Sequence, residues 1–147
     1  MTTADPPQGV LGRLSPGAPG DDPAVPGTSV DVLLVEGDEL FAASMSDVLR
    51  RHAFTVLVAG SPEQAREALR VGCTPRLVIV DPDGPGGATR EALERLRAEP
   101  ACAGSGFVAL TQSPLADPRA LGVDGLVLRP VDVGELLATV GRHCGRA

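Results

Sequence analysis

The chain contains no lysine, asparagine, tyrosine or tryptophan, and its aromatic content is only 2%. Nucleic-acid surfaces need clustered cations for phosphates, and single-strand binders add rings on which bases stack. A formal net charge of −6 with so few rings argues against direct nucleic-acid binding. All thirteen cations are arginine, a bias that a GC-rich codon usage accounts for. Cysteine is also scarce: Cys73, Cys102 and Cys144 are odd in number and lack C-x-x-C spacing, so neither a disulfide framework nor a zinc site is indicated. A reducing, cytoplasmic setting is expected. The neighbours His143 and Cys144 are expected to form a solvated helix end rather than a metal site. No apolar run reaches the length of a membrane span, so no membrane insertion is expected.

A chain of 147 residues suits one domain of ordinary size. Residues 1–27 are rich in Pro and Gly and lack apolar periodicity, so they cannot bury enough surface to offset their ordering entropy. They read as a disordered tail. Arg13 is their only cation, which argues against a secretory leader. Residues 28–147 form the expected domain.

From Thr28 onward, short apolar runs alternate with helix-like stretches, the pattern of a parallel sheet with crossover helices. The first strand is expected over Val30 to Val35, followed by a helix from about Glu39 to His52 that buries Phe41, Met45, Val48 and Leu49. Thr55 to Val58 reads as a short edge strand. Ser61-Pro62-Glu63-Gln64 is a helix start with a serine cap, after which Ala65, Ala68 and Leu69 face the sheet. Leu77 to Val80 is the central strand and Thr89 to Ala98 the third helix, with Leu93 and Leu96 inward. Phe107 to Leu110 and Gly125 to Leu128 complete the sheet. Asp132 caps a last helix that buries Leu136, Leu137 and Val140.

This succession predicts an α/β, doubly wound, flavodoxin-like fold: a five-stranded parallel sheet of order 2-1-3-4-5 with about five helices. Ligands in such sheets bind outside the carboxyl ends of the strands, at the switch point between the first and third. Those ends are Glu36 and Asp81. Thr111 ends the fourth strand and Arg129 the fifth, so the four side chains are expected to line a small polar pocket. Paired carboxylates invite a cation, and oxygen ligands suit Mg²⁺.

These residues resemble the receiver domain of bacterial two-component response regulators, over about residues 29–145. The marks are Val30-Asp31-Val32-Leu33-Leu34-Val35-Glu36, Asp81 followed by Pro85-Gly86, Leu110-Thr111, and Arg129-Pro130. Their intervals, 45 residues from Glu36 to Asp81 and 30 from Asp81 to Thr111, are similar to the family's. The resemblance implies that Asp81 accepts a phosphoryl group from a histidine kinase, that Thr111 bonds a phosphoryl oxygen and that Glu36 and Asp81 hold Mg²⁺. It also implies that the Pro130 bond, in cis, shapes the loop after the fifth strand.

Departures from the family pattern are specific. The second acid after the first strand, which usually ligates Mg²⁺, falls on Gly37, and Asp38 lies one residue late. The lysine before the proline is Arg129, whose planar fork differs from a compact ammonium and could neutralise the acids as a permanent counterion. The switch aromatic falls on Leu126, and the Thr111 to Arg129 segment is short by about one helical turn. The expectation is therefore a stand-alone, non-enzymatic, atypical receiver that acts by protein–protein interaction, with weak or absent phosphorylation of Asp81. Its partner would be a histidine kinase or another signalling protein, with a homodimer left open. The first alternative is a conventional Mg²⁺-dependent receiver phosphorylated at Asp81. A further rival comes from Val78-Ile79-Val80-Asp81-Pro82-Asp83-Gly84, which resembles the opening motif of haloacid-dehalogenase-type phosphatases, although that opening usually lies on a first strand.

Overall fold

The computed structural model describes residues 28–83 and 89–145. The tail over residues 1–27 and the Pro85-Gly86 pair lie outside the described residues. Five parallel strands pair in the order 2-1-3-4-5, as the alternation of apolar runs and helices predicts. They are β1 (Ser29–Val35), β2 (Val56–Ala59), β3 (Thr74–Val80), β4 (Gly106–Thr111) and β5 (Gly125–Leu128). The helices between and after them are α1 (Glu39–Arg51), α2 (Pro62–Arg70), α3 (Arg90–Arg97), α4 (Pro118–Leu121) and α5 (Val133–His143). A 3-10 turn at Pro100–Cys102 follows α3 and was not expected from the pattern.

Successive side chains of a strand point to opposite faces, so each strand feeds two cores. Leu33, Val78, Val80, Phe107 and Ala109 join Ala65, Leu69, Leu93 and Leu96 of α2 and α3 on one face. Val32, Leu34, Ile79, Val108 and Leu110 meet Met45, Leu49, Leu136 and Val140 of α1 and α5 on the other. Both faces of the sheet are thus covered, and the strands read as nearly continuous apolar runs for that reason.

The helix starts are fixed by side-chain caps. Asp38, Ser61, Thr89, Asp117 and Asp132 each accept a hydrogen bond from a backbone N–H in the first turn of the helix that follows. At α2 the Gln64 side chain accepts from the backbone N–H of Gly60, one residue before the cap, rather than closing the box on Ser61 itself.

Several expectations need correction. The edge strand is β2 at Val56–Ala59, one residue later than read, because Thr55 uses its hydroxyl and N–H to bridge to Asp31. Phe41, Val48 and Leu137 are half-buried rather than buried, and the inward stripes run through Ala42, Ser46 and Thr139 instead. Cys144 is not a solvated end of α5: it is buried, and its thiol lies 3.7 Å from the Asp31 carbonyl oxygen.

Candidate functional site

The carboxyl ends of β1, β3, β4 and β5 converge on one edge of the sheet, and each delivers one polar side chain there. Glu36 follows β1, Asp81 follows β3, Thr111 ends β4, and Arg129 follows β5. Glu36, Asp81 and Thr111 are buried, at 3%, 5% and 3% exposure. Burial of such groups is costly unless each finds a partner.

The partner of both acids is Arg129. Its Nη2 donates to Asp81 Oδ2 at 2.6 Å and to Glu36 Oε1 at 3.0 Å. The second oxygen of each acid is bonded as well: Asp81 Oδ1 accepts from the Asp83 N–H at 2.9 Å, and Glu36 Oε2 from the Asp38 N–H at 3.0 Å. All four carboxylate oxygens therefore have donors from within the chain. Burial pushes the Glu36 carboxyl above its ordinary range. The Asp38 N–H and Arg129 pull it back, while the Asp81 charge adds to the rise.

Arg129 is itself held in place. Its guanidinium lies over the Phe41 ring, 4.1 Å from the centroid, and its backbone N–H donates to the Thr111 carbonyl at 2.8 Å. Phe41 sits in the first turn of α1, three residues after the cap Asp38, so the ring that flanks the pocket is supplied by the same turn that follows Glu36. The helical spacing marks Phe41 only as core. Its place three residues after a cap, at the carboxyl edge of the sheet, is the signal that marks it.

Not every anticipated residue joins the cluster directly. Thr111 donates to Asp83 Oδ2 over a long 3.4 Å and accepts from the Ser113 N–H, so it reaches Asp81 only through the Asp83 loop. The Arg129–Pro130 peptide bond is cis and Pro130 is exposed. Asp38 does not swing toward the acids, because its carboxylate is the cap that accepts from the Phe41 N–H at 3.1 Å. Leu126 lies half-buried against the core on the side of α2 and α3. The segment from β4 to β5 has only four helical residues, those of α4, consistent with the missing helical turn.

A scan against protein-family models finds no match, and no curated protein matches the chain. Solved structures do. A two-component response regulator from Legionella pneumophila superimposes with a TM-score of 0.69 at 23% identity, covering 79% of this chain and 98% of that one. The receiver domain of a sensor histidine kinase from Pseudomonas aeruginosa, solved with magnesium in its active-site cleft, gives 0.69 at 20% identity over 80% and 99% of the two chains. A chemotaxis protein of Vibrio cholerae gives 0.66 at 20% identity over 78% and 98%. The fold is the receiver fold. These neighbours are a two-component response regulator, the receiver domain of a sensor histidine kinase and a chemotaxis protein, and Val78-Ile79-Val80 of the phosphatase-like motif lie on β3, not on a first strand.

Whether the pocket suits Mg²⁺ is a question of its donor set. Mg²⁺ wants about six oxygens at roughly 2.0–2.1 Å in octahedral array. Here the two buried acids already share a cationic nitrogen, the third acid caps a helix, and Gly37 offers no side chain. Among the described residues no group of three or more His, Cys, Asp or Glu is placed to hold a metal ion. As arranged, these residues do not fit the ion. Among the described residues, too, no helix is long and apolar enough to cross a membrane.

Proposed function

We propose that this chain is an atypical receiver module of two-component signalling, which acts by noncovalent contact with other proteins while phosphoryl transfer to Asp81 is weak or absent. The observation that carries this reading is the state of Asp81: Oδ2 is bound by Arg129 at 2.6 Å and Oδ1 by the Asp83 N–H at 2.9 Å. A carboxylate attacks phosphorus through an oxygen lone pair, whose nucleophilicity falls when that oxygen is bound to a cationic donor, and phosphoryl transfer is catalysed mainly by positioning and by cations that neutralise the incoming charge. Here the one cation is spent on the nucleophile.

On this reading the module is not an enzyme. Its partner is a histidine kinase or another signalling protein met in the cytoplasm, or a second copy of the chain. The acidic balance of the chain, −6 at neutral pH, fits a protein partner better than nucleic acid. Mg²⁺ has at most a weak role through Glu36 and Asp81.

The conventional reading keeps one point in its favour, since Asp81 stands at the switch point of the sheet, after the strand that pairs with both β1 and β4. Incubation with Mg²⁺ and acetyl phosphate, followed by intact mass measurement, separates the two. The expected result is an unchanged mass. A gain of about 80 Da that disappears in Asp81→Asn would establish ordinary phosphorylation instead.

A further inference from the structure

We infer that Arg129 takes the place of a metal ion in this pocket: its guanidinium, seated on Phe41 between Glu36 and Asp81, keeps divalent cations out, so that the module works without one. This rests on the reading of the chain as a receiver-like module, and extends it to what the pocket binds.

Three observations lead there. First, one nitrogen serves both acids, at 2.6 and 3.0 Å, so a metal drawing on the same two oxygens would have to displace it. Second, displacement is opposed from behind, because the guanidinium is flanked by the Phe41 ring and its own backbone is tied to Thr111. An exposed arginine could swing into water; this side chain is only 19% exposed. Third, if Arg129 stayed nearby, a divalent ion would meet a positive charge a few ångströms away in a poorly solvated site, where repulsion is barely screened.

A rival explanation for weak metal binding is the acid missing at Gly37. The two explanations make different predictions for substitutions. If the resident guanidinium decides, removing it exposes the acids to cations, while adding an acid beside it does little. If the missing acid decides, the reverse holds.

The experiment titrates Mn²⁺ into the full chain, without phosphodonor, and reads free ion by electron paramagnetic resonance. The proteins compared are the wild type, Arg129→Met, Gly37→Asp, and Arg129→Met combined with Asp81→Asn. Methionine keeps an apolar stem against Phe41 and removes the charge. Wild type and Gly37→Asp are expected to bind weakly. Arg129→Met should bind about a hundredfold more tightly, and the double variant should lose that gain. Tight Mn²⁺ binding by the wild type, tight binding by Gly37→Asp alone, or no gain in Arg129→Met would each overturn the inference. Should Arg129→Met fail to fold in metal-free buffer, recovery of its folded circular-dichroism spectrum by millimolar Mn²⁺ counts for the inference and lack of recovery against it. This titration contains no phosphodonor and is therefore independent of the mass measurement: a wild type that binds Mn²⁺ tightly here, yet gains no mass with Mg²⁺ and acetyl phosphate, would sink this inference alone and leave the proposed function standing.

Discussion

Arg129 is positioned by interactions of different kinds, and each can be cut separately. The ring of Phe41 faces the guanidinium at 4.1 Å, a contact worth about 0.5–2 kcal/mol depending on desolvation. Phe41→Leu keeps most of the apolar volume and removes the π face. In a double-mutant cycle with Arg129→Met, read from denaturant midpoints, the two residues are expected to couple by about 1 kcal/mol; additive effects would mean that the ring is a bystander. Glu36 permits a second test. Its carboxyl is raised above the ordinary 4.5, mainly by burial. The folded state therefore prefers the protonated form more than the unfolded chain does, so this group's contribution is complete below pH 4.5 and is lost as pH rises through the higher folded value. Glu36→Gln cannot titrate. Stability of the wild type relative to Glu36→Gln should fall across that window, and a difference that is flat or rises with pH would contradict the assignment. At this scale the sequence revealed the identities of the acids and of Arg129, because their distance from the strand ends is countable. It hid the geometry between them: no pattern states that one nitrogen will serve two carboxylates, or that Phe41 turns from core to pocket wall.

The elements around the site were legible where their signals are local. Ser61 and Asp132 stand where caps belong, and both cap; Thr89, read as the first helical residue, proves to be a cap as well. The brevity of α4 could be counted as missing residues, though not its four-residue extent. Asp38 shows the limit, since an acid just after a strand end can serve either a pocket or a helix start. The helix wins: Asp38 accepts from the Phe41 N–H, and so fixes the turn that carries the ring. Asp38→Ala should cost about 1 kcal/mol, the usual loss for a missing cap, and Asp38→Asn only a few tenths, because asparagine caps as well. Thermal melts in the presence and absence of Mg²⁺ measure both. If Asp38→Asn were as damaging as Asp38→Ala, and only in Mg²⁺, the carboxylate would be a metal ligand and its role as a cap secondary. Non-local packing was the least legible. Cys144 is buried through its contact with Asp31, a residue 113 positions earlier, and nothing near the chain end announces it.

At the scale of the molecule, the strand order gives Arg129 an unusual reach. In the order 2-1-3-4-5, β4 separates β5 from β3, and both β3 and β4 separate it from β1. The guanidinium nevertheless binds groups at the ends of β1 and β3, crossing the end of β4, to which its backbone N–H is also tied. One residue of β5's end thus holds the ends of three other strands, β1 and β3 through its side chain and β4 through its backbone N–H. β2 lies outside this clasp. Removing one partner of a largely buried ion pair leaves the others uncompensated, at a cost on the order of 3 kcal/mol. Arg129→Met keeps the backbone bond to Thr111 and loses only the side-chain bonds, so amide-exchange protection should fall at the carboxyl ends of β1 and β3, with β2 and β4 nearly unchanged, because local opening follows the contacts that are lost. In the wild type the clasp is already closed, so Mg²⁺ with acetyl phosphate should leave the exchange pattern of β4 and β5 as it was. Deprotection spread evenly over all five strands in Arg129→Met would show that the arginine contributes only global stability. A change confined to β4 and β5 when phosphodonor is added to the wild type would show that this edge responds to phosphorylation, and that the arginine yields to the phosphoryl group instead of standing in its way.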